Sequence, residues 1–257
     1  MNIYVLLKRT FDTEEKISII GGQIQEDGAE FIINPYDEYA VEEAIQIRDD
    51  HGGEVTVVTV GSNEAEKQLR TALAMGADKA VLINTEDDLE EGDQFTTAKI
   101  LSEYLKDKEP DLILAGNVAI DGGSGQIGPR VADMLGIPYV TTITNIEIDG
   151  STVSITRDVE GDSEMIQTSL PLLVTCQQGL NEPRYPSLPG IMKAKKKPLD
   201  ELELDDLDLE EDDVEAKTKT LDLFLPPDKA AGRILEGDLS NQVQELVSLL
   251  RSEAKVI

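Results

Sequence analysis

Residues 115–130, AGNVAIDGGSGQIGPR, gather the residue types that bind an anionic ligand. Gly122, Gly123, Gly125 and Gly128 let backbone approach a ligand closely, and free N–H groups at a helix start near Gln126 favour phosphate. The spacing Gly123-x-Gly125-x-x-Gly128 formally matches a dinucleotide fingerprint. It does not directly follow a strand, it lies outside the first strand–helix unit, and no acidic residue closes a following strand at the right place. A plain flexible loop is the competing reading. Elsewhere the chain holds no Ser-His-Asp set, no Walker loop and no histidine-bearing carboxylate cluster. Its one cysteine, Cys176, excludes an internal disulfide and a cysteine metal cluster, and at a strand end it reads as a small buried hydrophobe. The one histidine, His51, stands beside Gly52 and Gly53, where a helix-terminal role is expected. No metal site and no catalytic constellation is expected; the chemistry is that of a nucleotide-binding partner module.

A second stretch, residues 180–199, LNEPRYPSLPGIMKAKKKPL, carries a different signal. Pro183, Pro186 and Pro189 fix φ and withhold backbone donors, so the first half is expected to be extended and stiff. Such a segment presents a side chain with little entropy left to lose on binding, and Leu188 is the apolar side chain offered. Residues 191–197 are predicted to form a short helical turn after Gly190. Lys193, Lys195, Lys196 and Lys197 follow, with Arg184 upstream, a basic cluster inside a chain of net charge −29. A surface loop with a solvated charge run is the alternative.

The elements that position these stretches follow from periodicity. Residues 3–7 form an apolar run, a buried strand ending at Lys8 and Arg9. Asn34 can cap a helix that Pro35 opens, with Ala40, Val41, Ala44 and Ile45 on one face. Residues 54–60 read as a second strand, and a helix with Leu69, Ala72 and Leu73 inward ends at Gly76. A strand at 80–83 precedes a helix through Phe95, Ala98, Leu101 and Leu105. A strand at 111–114 precedes a helix through Val131 and Leu135 closed by Gly136. Residues 139–142 make a fifth strand. The alternation predicts an α/β fold, a parallel sheet with helices on both faces. Short segments at 146–148, 153–157 and 165–168 predict a small antiparallel extension before residues 172–175 re-enter the core. The expected organisation is an α/β nucleotide-binding domain over 1–180, a partner recognition loop over 181–199, and an acidic segment with a C-terminal arm over 200–257. Residues 200–215 hold too little apolar content for a core of their own. Residues 221–225 are a candidate edge strand, and Leu239, Val243, Leu246, Val247 and Leu250 recur at helical spacing. A helix held away from the main core needs another surface to cover it, which hints at an obligate partner.

At 257 residues and 40% hydrophobic content the chain can bury a sizeable core. Its 23 basic against 52 acidic residues argue against nucleic acid and anionic membrane surfaces. No charged leader precedes the apolar N-terminal run and no stretch reaches membrane-spanning length, so a cytoplasmic protein without membrane insertion is expected.

Five blocks together resemble one family. LNEPRYPSLPGIMKAKKKPL closely resembles the recognition loop of the electron transfer flavoprotein β subunit. INPYDEYAVEEAI (33–45), RTALAMGADKA (70–80), AIDGGSGQ from Ala119, and ITRDVEGDSEMIQTSLPLLVT (155–175) resemble the same family in the same order, covering nearly the whole chain up to Pro198. The acidic segment is the divergent part.

The resemblance implies an α/β domain paired with a larger α subunit. FAD would be held mainly by the α subunit, near the interface, and AMP would be a buried structural ligand of this chain. By family, the AMP contacts fall on Leu6, on Asn34, Pro35, Tyr36 and Asp37, on Val60, and on the run Ala119, Ile120, Asp121, Gly122, Gly123, Ser124, Gly125, Gln126, Ile127, Gly128, Pro129 and Arg130. Leu188 would seat in an apolar pocket of a partner dehydrogenase. Arg184, Tyr185, Pro189, Ile191, Met192, Lys193 and Lys196 would surround that contact. The implied function is electron carriage, without an enzymatic step of its own, from the acyl-CoA dehydrogenases of fatty-acid oxidation to a quinone oxidoreductase. Some relatives place a second FAD where AMP sits and bifurcate electrons from NADH, and the glycine content of 119–130 leaves that alternative open. A stand-alone adenine-nucleotide sensor would leave Leu188 and the C-terminal arm without purpose.

Overall fold

The computed structural model describes residues 1–86, 89, 92–227, 229 and 231–257. Strand β1 (Asn2–Leu6) is followed by four short strands, β2 (Arg9–Phe11), β3 (Ile19–Ile20), β4 (Gln23–Ile24) and β5 (Phe31–Ile33). The alternating part then runs α1 (Pro35–His51), β6 (Glu54–Gly61), α2 (Glu66–Met75), β7 (Lys79–Asn84), α3 (Gln94–Leu105), β8 (Leu112–Gly116) and α4 (Ile127–Leu135). After it come β9 (Tyr139–Asp149), β10 (Thr152–Val159), β11 (Asp162–Ser169), β12 (Leu172–Cys176), α5 (Leu188–Ala194), β13 (Leu199–Leu202) and α6 (Leu239–Ser252). Contacts divide the chain into a main unit, Met1–Ile17 with Gln25–Leu221, and a smaller one, Ser18–Ile24 with Asp222–Ile257.

The main unit is built on a nine-stranded sheet in the order β11-β10-β9-β12-β8-β1-β6-β7-β13. From β9 to β13 every neighbouring pair is parallel, and β9, β10 and β11 are joined antiparallel, as the predicted extension requires. Alternation along each strand feeds two cores. Ile3 and Val5 face α1 and α2, meeting Val41, Ile45, Leu69 and Leu73. Leu6, Val58 and Ile113 face α3 and α4, meeting Ala98, Leu101 and Val131. Helices thus cover both faces of a parallel sheet, the arrangement its continuous apolar strands demand.

Several elements differ from their predicted form. Residues 146–148 are not a separate segment: β9 continues from Tyr139 through Asp149, passing Thr142 at φ 57, and its pairing with β10 shifts register between Thr156 and Arg157. That bulge redirects one strand from the parallel core to the antiparallel extension. The acidic stretch is not a solvated arm. Its leading residues form β13, the sheet's edge, paired in parallel with β7, and Leu204, Leu209 and Val214 are buried in the core on the α3 side. Each such side chain contributes about 1.5–3 kcal/mol by burial, so a few apolar residues spaced among acids suffice to fasten the segment. Residues 221–225 form no strand.

In the smaller unit, β3 and β4 pair antiparallel across Gly21 and Gly22, both at positive φ, the backbone a two-residue hairpin needs. Helix α6 is capped by Asp238, whose carboxylate accepts the Asn241 N–H at 3.0 Å. None of its residues is buried; Leu239, Val243, Leu246 and Val247 remain between 39 and 76% exposed. No described helix is long and apolar enough to cross a membrane.

Candidate functional site

Beyond the carboxyl ends of β1, β6 and β8 lies a cavity of about 310 Å³, where an open parallel sheet is expected to bind ligands. Of the predicted cofactor residues, Leu6, Asn34, Asp37, Val60, Ala119, Gly122, Ser124, Gly125, Gln126, Ile127 and Gly128 line it. Pro35, Tyr36, Ile120, Asp121, Gly123, Pro129 and Arg130 do not. The cavity also takes in residues outside the predicted set, among them Lys8, Val58, Thr59, Gly116 and Asn117 at strand ends, and Asp93, Gln94, Thr97 and Leu101 of α3 and its cap.

Its floor is organised by Asp37. The buried carboxylate accepts the Lys8 N–H at 2.7 Å through Oδ2, and the Gly116 N–H at 3.0 Å and the Asn34 Nδ2 at 2.9 Å through Oδ1. One side chain thereby joins the ends of β1 and β8 to the start of α1. Burial pushes its carboxyl up to about 7, against the opposing pull of the Asn34, Lys8 and Gly116 hydrogen bonds. Asn34 does not cap α1 with its side chain, contrary to expectation. It donates Nδ2 to Val118 O at 3.0 Å and accepts the Ile120 N–H at 3.2 Å, so it anchors the glycine-rich loop instead. The Asp37 N–H is taken by the Asn34 carbonyl at 2.8 Å, so it is not left for the Asn34 side chain to cap.

The glycines of the loop serve different ends. Gly123 and Gly125 have φ of +64° and +60°, left-handed backbone that favours glycine. Gly128 is required by packing: a Cβ there would stand 2.7 Å from Thr175 Cγ2, so α4 lies hard against β12. Helix α4 starts without a side-chain cap. The Gln126 amide oxygen accepts Arg130 Nε at 3.0 Å and Nη2 at 2.8 Å, so Arg130 is engaged with a lining residue without lining the cavity itself. The first-turn backbone of α4, beside Gln126, Ile127 and Gly128, therefore faces the cavity as an anion-favouring terminus. Lys8 supplies a formal positive charge at the rim and pairs with Asp121 at 2.7 Å.

The opposite wall is the start of α3. Asp93 Oδ1 accepts the N–H groups of Phe95 and Thr96 at 2.9 and 3.0 Å, while Oδ2 accepts those of Lys217 and Thr218, both at 2.8 Å. Desolvation acts to raise this carboxyl, but bonds from Thr96, Thr218 and Lys217 outweigh it and hold it at about 2. Among the described residues no group of three or more His, Cys, Asp or Glu is placed to hold a metal.

The predicted recognition segment stands on a separate face. Helix α5 spans Leu188–Ala194 rather than 191–197, because Ser187 caps it by accepting the Gly190 N–H at 3.1 Å and Pro189 sits in its first turn. Gly190 is held close to α2: a Cβ would lie 2.6 Å from Ala74 O. Arg70 Nη1 donates to Ala194 O at 3.1 Å and Lys197 O at 3.0 Å. Lys197 Nζ in turn donates to Leu73 O at 3.1 Å, Gly76 O at 3.3 Å and Ala77 O, closing the end of α2. On this mount Tyr185, Leu188 and Met192 are 94, 79 and 68% exposed. Pro189, Ile191, Lys193, Lys195 and Lys196 are also exposed, and so is Arg184, which is at the same time engaged with Glu42.

Comparison with known proteins agrees with this arrangement. Residues 21–207 match the electron transfer flavoprotein domain. Over 257 residues the chain is 69% identical to an electron transfer flavoprotein subunit beta of Bacillus subtilis, covering all of both chains. It is 42% identical to the subunit of that name from Syntrophomonas wolfei, covering 100% of this chain and 98% of the relative. A caffeyl-CoA reductase-Etf complex subunit of Acetobacterium woodii is 36% identical, over 98% of this chain and 99% of the relative. Matched along its whole length, with a cavity at its strand ends and an exposed leucine on a braced helix, the chain belongs to the electron transfer flavoprotein family as a β subunit, an electron carrier.

Proposed function

We propose that this chain, joined to an α subunit that holds FAD near their interface, carries electrons from acyl-CoA-type dehydrogenases to a quinone oxidoreductase, with AMP as a structural ligand of the cavity. What carries the proposal is Leu188, 79% exposed in the first turn of a helix whose two ends are tied down. An exposed apolar side chain on a rigid mount, in a segment that also carries exposed lysines, fits a contact that forms quickly, gains its affinity at one point and releases. Flavin supplies the redox chemistry. This chain's residues dock the donor and support the cofactor's surroundings.

The cavity suits AMP in size and chemistry. Its volume of about 310 Å³ lies at the lower end of the range for small-molecule sites, about 300–1,000 Å³, which favours a mononucleotide over a dinucleotide. Leu6, Val58, Val60 and Leu101 offer apolar wall for a base, while the α4 terminus, Ser124 and Lys8 offer phosphate contacts. The exposed apolar face of α6 is proposed to pack on the α subunit.

The test is to purify the chain with its α subunit, denature the complex and count released nucleotides. One FAD and one AMP per heterodimer is the expected result. Two FAD and no AMP would instead assign the cavity to a second flavin and the complex to electron bifurcation from NADH. Failure to copurify any partner would overturn the proposal.

A further inference from the structure

Arg184 stands at the entry to the recognition segment, four residues before Leu188, where a basic residue invites the reading of a partner contact. Its side chain is 41% exposed, yet its guanidinium is committed to Glu42. Nε donates to Glu42 Oε2 at 2.7 Å, Nη2 donates to Glu42 Oε1 at 2.9 Å, and the Arg184 N–H donates to Oε2 at 3.1 Å. The Glu42 side chain is only 5% exposed, and this bidentate geometry is the most directional that a carboxylate can accept. Burial acts to raise the Glu42 carboxyl, and bonds from Arg184 and from Gln46, whose Nε2 donates to Oε1 at 2.8 Å, outweigh it, so it lies below the ordinary range. The next residue of α1 acts on the same segment: Glu43 Oε2 accepts Asn181 Nδ2 at 2.8 Å, and Tyr39 O accepts it at 3.0 Å.

The segment is therefore clamped at both ends. Residues 181 and 184 are fixed to α1, and residues 194 and 197 are fixed to α2 through Arg70 and Lys197. Between the clamps run Pro186 and Pro189, which remove backbone freedom, and Ser187, which fixes the start of α5. Leu188 lies between the clamps, four residues after Arg184.

We propose that Glu42 and Arg184 are a positioning pair that orients Leu188 for docking, and that Arg184 makes no direct contact with the dehydrogenase. This rests on Leu188 being the anchor, as proposed above. A direct contact and a positioning role differ in what Glu42 does. If Arg184 touched the partner, removing the Glu42 charge would leave that contact available. If it positions, losing either member of the pair displaces Leu188 equally.

The experiment uses the complete heterodimer, reduced by an acyl-CoA dehydrogenase and its substrate, with the carrier varied to separate KM from kcat. Glu42→Gln and Arg184→Gln are each expected to raise KM for the carrier roughly tenfold while kcat stays near its original value, the mark of lost binding alone. The double variant is expected to be no worse than either single one. Hydrogen exchange at the amides of residues 187–194 is expected to quicken in both single variants while nucleotide content is unchanged. Glu42→Asp, which keeps the charge, covers the case in which Glu42→Gln does not fold. An unchanged KM in the Glu42 variants beside a raised KM in Arg184→Gln would overturn the proposal and make Arg184 a docking contact. Additive effects in the double variant would also overturn it. Leu188→Ala is the control: if that variant docks normally, the anchor assignment itself fails, and the positioning role falls with it.

Discussion

Asp37 and Gly116 meet where nothing larger than hydrogen fits. The Gly116 N–H donates to Asp37 Oδ1 at 3.0 Å, and a Cβ on residue 116 would stand 2.2 Å from that oxygen and 2.7 Å from Tyr36 Cβ. The last residue of β8 is thus pressed against the first turn of α1, and the cavity floor depends on that approach.

Gly116→Ala should therefore damage both fold and site. Overpacking of this kind costs about 1–3 kcal/mol, and a chain of this size loses roughly 2–4 °C of Tm per kcal/mol. A fall of several degrees in thermal midpoint is expected, together with loss of bound nucleotide from the purified heterodimer. Full retention of both would mean that α1 yields without disturbing the floor.

Asp37 also sets a pH dependence. Its folded carboxyl titrates at about 7, while an unfolded aspartate titrates at about 4. Between those values the folded chain holds more protons at this site, so its contribution to stability falls as pH rises through that window and is level above it. Asp37→Asn removes the titration but mismatches the three donors around it, a constant penalty. The Tm of the variant relative to the parent should therefore improve as pH is raised from 5 to 8. A difference that does not change with pH would show that Asp37 is ionised throughout.

Asp93 has the opposite sign. Held at about 2, it stabilises the fold above the ordinary aspartate range, and that contribution is lost as pH falls from about 4 toward about 2. Asp93→Ala removes an N-cap worth about 0.5–2 kcal/mol and also releases the Lys217 and Thr218 amides. Hydrogen exchange should show faster exchange at Phe95, Thr96, Lys217 and Thr218 together. Acceleration confined to α3 would show that residues 217 and 218 are held by other contacts.

How much of this was legible depended on how far apart the interacting residues lie in sequence. The alternating strands and helices carry their own period, Pro35 and Gly136 punctuate helix ends locally, and the fold follows from them. The glycine loop is visible for the same reason, though only the structure separates Gly128, which packs on Thr175, from Gly123 and Gly125, which turn the chain. Asp93 resembles any cap in sequence; what makes it a node is a pair of amides 124 and 125 residues away. Arg184 looked like free charge beside other free charge, because its partner Glu42 is 142 residues distant and one acid among many. The acidic segment misled for a related reason. Leu204, Leu209 and Val214 are sparse in sequence, yet the surface that buries them belongs to α3 and the sheet.

The exposed lysines of the recognition face should act on rate more than on affinity. Lys193 and Lys196 follow Leu188 by five and eight residues and are exposed at the surface, where charges attract across solvent but are screened beyond roughly 10 Å at 0.1 M salt. Neutralising both, as Lys193→Gln with Lys196→Gln, removes two positive charges from a chain of net charge −29, so that, if the proposed dehydrogenase partner presents an acidic surface, repulsion is felt sooner on approach. The association rate measured by stopped flow at low ionic strength should fall roughly tenfold, and the dissociation rate should change little. Raising the salt should bring the two association rates together. Leu188→Ala should show the reverse pattern, with faster dissociation and an association rate close to that of the parent at every salt concentration. If neutralising the lysines instead quickens dissociation equally at low and high salt, they contact the partner at short range, and the steering role is wrong.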